Sequence, residues 1–119
     1  MRGKDAKTIE AEGIDAVWVS NHAGRQFDGT YASIEVLAEI RNSTNLPIIF
    51  DSGIEGGLDI LRALSLGANF VMLGGAWHYA LGALGHRGPD HLIDILTKDL
   101  NANMAQLGIK ELKNINKNN

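Results

Sequence analysis

Two side chains suited to acid–base work stand close together at the start of a polar loop. They are His22 and Arg25, within Asn21-His22-Ala23-Gly24-Arg25-Gln26-Phe27-Asp28-Gly29. Histidine is the side chain that exchanges a proton near neutral pH. Arginine grips a carboxylate through two parallel hydrogen bonds. Together they suit a small anionic substrate that gives up a proton. A plainer reading has both residues serve the loop itself, binding backbone carbonyls and a neighbouring carboxylate. Two further loops offer different chemistry. Asp51-Ser52-Gly53-Ile54-Glu55-Gly56-Gly57 and Gly74-Gly75 are glycine-rich, and each opens a predicted helix. Free backbone N–H groups at a helix start favour phosphate, and two such loops on adjacent strands can hold one phosphate between them. Ordinary strand-to-helix turns have the same composition.

Other polar and aromatic residues carry weaker signals. His78, His86 and His91 fall in or near predicted helices, with no carboxylate spacing that makes a metal site, so no metal is expected. His86 and His91 are expected to be exposed. Trp18 and Trp77 read as core or sheet-flanking packing. Asp59 and Arg62, three apart on one helix, read as a surface pair worth only tenths of a kcal/mol.

These residues need elements to position them. The run Ile14–Ser20 is short and valine-rich, which predicts a buried strand over 16–19. A helix over 5–12 precedes it and stops at Gly13. Ser33 can cap a helix over 34–41 whose apolar face is Ile34, Leu37, Ala38 and Ile40. Strands are predicted over 48–50 and 70–73, with helices over 57–66, 76–84 and 90–107. Gly67 stops the first of these helices and Pro89 sits in the first turn of the last. The tail is rich in lysine and asparagine; Leu112 and Ile115 are expected to pack loosely and the last residues to fray. Short strands that are apolar on both faces need helices on both sides or a closed barrel. Both a barrel and a flavodoxin-like open sheet gather their sites at the C-terminal ends of the strands.

Composition narrows the function classes. The chain has 119 residues, 45% of them hydrophobic and 21% charged, which is ordinary for one small globular domain. A net charge of −3 without an arginine-rich run argues against nucleic acid. There is no cysteine, hence no disulfide framework, thiolate zinc site or cysteine nucleophile. No apolar run reaches the roughly 18 residues of a membrane span, so no membrane association is visible and a cytoplasmic location is expected.

Against that background, Ser20-Asn21-His22-Ala23-Gly24-Arg25-Gln26-Phe27-Asp28-Gly29 closely resembles the signature of the FMN-dependent 2-hydroxy acid oxidases and dehydrogenases. Asp51-Ser52-Gly53-Ile54, Ala63-Leu64-Ser65-Leu66-Gly67-Ala68 and Val71-Met72-Leu73-Gly74 resemble later segments of the same family, in the same order. The similarity runs from about Asp5 to Leu112. It implies an α/β chain forming part of a (β/α)₈ TIM barrel, approximately strands six to eight with their helices. Residues 1–112 would be that barrel portion and 113–119 a frayed polar tail.

The resemblance also implies chemistry: oxidation of a small L-2-hydroxy acid, lactate- or glycolate-like, to the 2-oxo acid, with FMN as cofactor. His22 would be the catalytic base and Arg25 would bind the substrate carboxylate. Ser20 would hydrogen-bond the flavin region, while Asp51, Ser52, Gly53, Gly74 and Gly75 would line the ribityl-phosphate end. The chain departs from the family pattern at Ala23, where a glycine is usual, and at Glu55 and Gly75, where arginines reach the phosphate. The lysine that ends strand five has no counterpart, and Arg2 falls beyond that position. A three-stranded slice leaves sheet edges and apolar surface for a partner, which implies a missing N-terminal half or self-association. The alternative is a noncatalytic flavin- or phosphate-binding half barrel, or a structural fragment needing its partner.

Overall fold

The computed structural model describes residues 1–115. Its elements alternate along the chain: α1 (Gly3–Ala11), β1 (Val17–Val19), α2 (Ser33–Arg41), β2 (Ile48–Phe50), α3 (Gly57–Ser65), β3 (Phe70–Val71), α4 (Gly75–Leu84) and α5 (Gly88–Gln106). The three strands pair in parallel in the order β1-β2-β3, with Val17 opposite Ile48 and Ile49 opposite Phe70. Each strand returns beside its predecessor after a helical crossover, the connection that parallel pairing requires.

Local chemistry explains most of the boundaries. Val, Trp, Ile and Phe fill β1 and β2, and the alternation of the pleat sends Val17, Val19, Ile48 and Phe50 to one side. There they meet Ala6 of α1, Val36, Leu37 and Ile40 of α2, and Ala63 of α3 to form the core. Gly57 lets α3 approach α5 closely: a Cβ there would stand 2.2 Å from the backbone nitrogen of Leu100. Pro89 lies in the first turn of α5, where its missing N–H costs nothing.

Several expectations need correction. Ser33 is the first residue of α2, not its cap; the preceding residue is Ala32, whose N–H donates to the Glu35 carboxylate at 2.8 Å. The Ser33 hydroxyl is buried without a partner. The third strand ends at Val71, two residues early. Met72 N still donates to Phe50 O at 2.8 Å, but β2 ends at Phe50, so Leu73 has no strand to follow. The first helix starts at Gly3, two residues early, because Gly3 N is held by the Glu39 carboxylate of α2 at 2.7 Å. The expected Asp59–Arg62 pair is present at 3.2 Å, and His86 and His91 are exposed. Leu112 is exposed and Ile115 half-buried; the residues expected to fray, 116–119, lie outside the described residues.

The largest departure concerns the second face of the sheet. Helices cover one side only. Across the other runs the row Trp18–Ile49–Phe70, with Trp18 57% and Phe70 62% exposed. Trp18 therefore flanks the sheet and is not core. A parallel sheet with one bare apolar face is half of a packing arrangement. The two phenylalanines should separate these faces in urea denaturation. Phe50→Ala, at 1% exposure, is expected to cost roughly 3–5 kcal/mol. Phe70→Ala is expected to cost well under half as much in the unpartnered chain.

Candidate functional site at the carboxyl ends of the strands

The loops that follow β1, β2 and β3 surround an open cleft of about 940 Å³. Trp18, His22, Arg25, Asp51, Ser52, Gly53, Gly74 and Gly75 all line it. The cleft thus gathers every singled-out site residue except Ser20, which is tied to it by hydrogen bonds to His22 and Ser52. Such convergence at the C-terminal ends of parallel strands is the usual place for a site.

The turn that carries His22 is backbone-strained. His22, Ala23 and Gly24 have φ of 56°, 53° and 71° in succession. Ser52, in the next loop, has φ of 75°. Left-handed backbone costs a non-glycine residue roughly 1–2 kcal/mol. The three non-glycine residues with positive φ among the described residues all border this cleft. Strain concentrated in this way is characteristic of functional loops.

A small hydrogen-bond network holds the strained turn. Ser20 Oγ accepts from His22 N at 3.1 Å, and Ser52 Oγ accepts from Ala23 N at 3.1 Å. The Ser52 hydroxyl donates its single proton to Asp51 Oδ1 at 2.6 Å. Ser20 Oγ, 3.5 Å from Ser52 Oγ, must then be the donor of that longer contact. Asp51 Oδ2 accepts from Trp18 Nε1 at 3.0 Å. Both carboxylate oxygens of Asp51 are thereby occupied, so Asp51 acts here as an anchor between the loops. The side chains of His22 and Arg25 make no hydrogen bond or ion pair among the described residues, and both are exposed to the cleft.

The two glycine-rich loops differ in what they can offer an anion. At the start of α3, Glu55 N and Gly56 N donate to Asp59 Oδ2 at 3.2 and 3.1 Å, and Gly57 N donates to Asp99 Oδ2. The donors expected to attract phosphate there are already satisfied by carboxylates. The start of α4 has no side-chain cap, and Gly74, Gly75 and Ala76 border the cleft. Its first N–H groups are the ones available to an anion.

Among the cleft residues that sequence reasoning passed over are Trp18 and His78. Trp18 was assigned to packing, although its position two residues before Ser20 puts both side chains on one face of the strand. His78 was set aside as a helix residue without metal partners. It stands four residues after Gly74, and helical side chains tilt toward the N-terminus, so this spacing returns the ring to the cleft.

Comparison with known proteins fits this arrangement. The whole chain, residues 1–119, matches the FMN-dependent dehydrogenase family. It is 43% identical over 115 residues to an L-lactate dehydrogenase of Acinetobacter baumannii, covering 95% of this chain and 30% of that protein. It is 40% identical over 115 residues to the (S)-mandelate dehydrogenase of Pseudomonas putida, covering 97% of this chain and 29% of that one. Among solved structures, a monotopic membrane protein (S)-mandelate dehydrogenase superposes with a TM-score of 0.93 at 40% identity over 97% of this chain and 31% of its own. A lactate oxidase from Pediococcus acidilactici, described as putative, superposes with a TM-score of 0.93 at 38% identity over 99% of this chain and 33% of its own. The chain therefore spans about 30% of the length of its curated relatives. Its open sheet of parallel strand–helix repeats is a part of their barrel fold. These findings also correct the expected cytoplasmic location. No described helix is long and apolar enough to cross a membrane, yet a relative matching nearly all of this chain is a monotopic membrane protein. The lack of a spanning helix is thus no guide to location.

The Ser52 hydroxyl is the part of the network most open to test. Ser52→Ala removes the acceptor for Ala23 N and the donor to Asp51. It is expected to cost about 1–2 kcal/mol in urea denaturation and to speed amide exchange at Ala23. The turn it supports lies inside the matched region, and on the strength of that match the chain belongs to the FMN-dependent dehydrogenase family.

Proposed function

We propose that this chain carries the base and the carboxylate-binding residue of a site that oxidises a small L-2-hydroxy acid to the 2-oxo acid. The observation that supports this reading best is the pairing of two uncommitted side chains, His22 and Arg25, on a turn strained and braced to present them. Arg25 binds the substrate carboxylate through charge-assisted hydrogen bonds and fixes the acid in the cleft. His22, whose backbone is held by Ser20 and whose ring is free of protein partners, takes a proton from the bound acid.

We further propose FMN as the cofactor. Bound FMN would accept the two electrons that leave the substrate. The residues fit its phosphate end in part. The uncapped start of α4 supplies N–H donors, and a Cβ at Gly53 or Gly74 would meet nothing within 4 Å, which leaves room for a ligand. Glu55 is the misfit, because it adds a carboxylate to that wall of the cleft.

The bare sheet face calls for a cover. The bare Trp18–Phe70 face and a chain about 30% as long as its relatives support either a complementary barrel portion or self-association as the cover. A second reading, favoured by Glu55 and Gly75, is a noncatalytic half barrel that binds flavin or phosphate, or serves only as structure. The two readings separate on the chain reconstituted with the complementary barrel portion of a relative. His22→Ala is expected to abolish turnover with lactate or glycolate while leaving flavin bound; unchanged kcat would refute the role of His22 as base. Glu55→Arg is expected to tighten FMN binding several-fold. An unchanged Kd would mean that the Glu55 side chain does not act on the phosphate.

A further inference from the structure

One end of the cleft, between the β2–α3 loop and the start of α4, lacks the strong cations that a phosphate ester attracts. Its walls there include Gly53, Glu55, Gly74 and Gly75, and the one side chain among them able to carry positive charge is His78. We propose that His78 is the phosphate-binding cation of this chain, donating from Nε2 to the FMN phosphate beside the N–H groups that open α4. This inference rests on the flavin reading above and adds a residue to it.

The ring is already oriented for that task. His78 Nδ1 lies 2.8 Å from Gly74 O, the carbonyl one turn earlier. A carbonyl oxygen only accepts, so Nδ1 carries a proton and the ring's other nitrogen faces away from the helix backbone. Nε2 has no hydrogen-bond partner among the described residues, and the side chain is exposed to the cleft. With Nδ1 engaged by the Gly74 carbonyl, Nε2 is the ring atom left to meet a phosphate oxygen. The two carboxylates bordering the same cleft do not pre-empt it. Asp51 is occupied by Trp18 and Ser52, and Glu55 forms no ion pair with His78. The donors of α4 and the ring of His78 therefore converge on the same wall. At α3, by contrast, Asp59 and Asp99 have closed the equivalent position.

FMN and riboflavin differ by the phosphate alone, so their comparison isolates this contact. The 119-residue chain, reconstituted with the complementary barrel portion of a relative, is titrated with each and followed by flavin fluorescence, alongside His78→Leu and His78→Gln. The parent chain is expected to bind FMN about ten-fold more tightly than riboflavin, the scale of one charge-assisted hydrogen bond. His78→Leu is expected to remove most of that preference and leave riboflavin affinity unchanged. His78→Gln, which keeps a donor and loses the charge, is expected to fall between. His78 is exposed, so both variants should keep the parent's urea midpoint. An FMN preference that survives undiminished in both variants, or that is absent from the parent, would overturn the role of His78 and leave the flavin site standing. Failure of either flavin to bind saturably would overturn the flavin reading and this inference with it.

Discussion

The carboxylate of Asp51 and the hydroxyl of Ser52 join segments 29 to 33 residues apart in the chain but adjacent at the end of the sheet. Ser52 holds the amide of Ala23, Ser20 holds the amide of His22, and Asp51 holds both Ser52 and the indole of Trp18. Without those partners the left-handed turn at His22 and Ala23 would have little to offset its conformational cost. With them, the histidine ring is free of structural duty. Register between β1 and β2 makes this possible. Val19 lies opposite Phe50, so Ser20 and Asp51 leave the ladder side by side.

The same register exposes what the chain lacks. One face of the pleat, through Val17, Val19, Ile48 and Phe50, is sealed by helices; the other presents Trp18, Ile49 and Phe70. A closed barrel would fill that inner face with side chains from strands elsewhere in the ring. The cleft lies at the rim of this open face, with Trp18 contributing to both. A cover over the sheet would therefore also border the cleft.

Electrostatics divides the cleft into two ends. Arg25 and His22 make the end near the β1 loop suited to a carboxylate. At the end near α4 the helix start has no side-chain cap, and Glu55 and His78 border the cleft. Relatives matched along nearly all of this chain share the fold at a TM-score of 0.93. Of the residues that differ from the family pattern, Ala23 lies in the braced turn, while Glu55 and Gly75 lie in the loops that open α3 and α4.

The sequence by itself determined the alternation of strands and helices, since short β-branched runs punctuated by Gly13, Gly67 and Pro89 leave little alternative. It also determined the paired presence of His22 and Arg25, because their motif is contiguous and needs no long-range information. Strand ends were less legible. Whether Leu73 continues β3 depends on a neighbour that stops at Phe50, and no local pattern records where a neighbour stops. The Ser33 cap failed for a similar reason: a hydroxyl suited to capping became the first helical residue once the Glu35 carboxylate took the Ala32 amide. Only the tertiary structure decided which glycine-rich loop keeps its N–H groups free. Asp99 reaches Gly57 from 42 residues away, across a crossing that the sequence does not announce. Hydrogen-bond satisfaction is a property of the packed chain, and so the difference between two similar loops became visible only after packing.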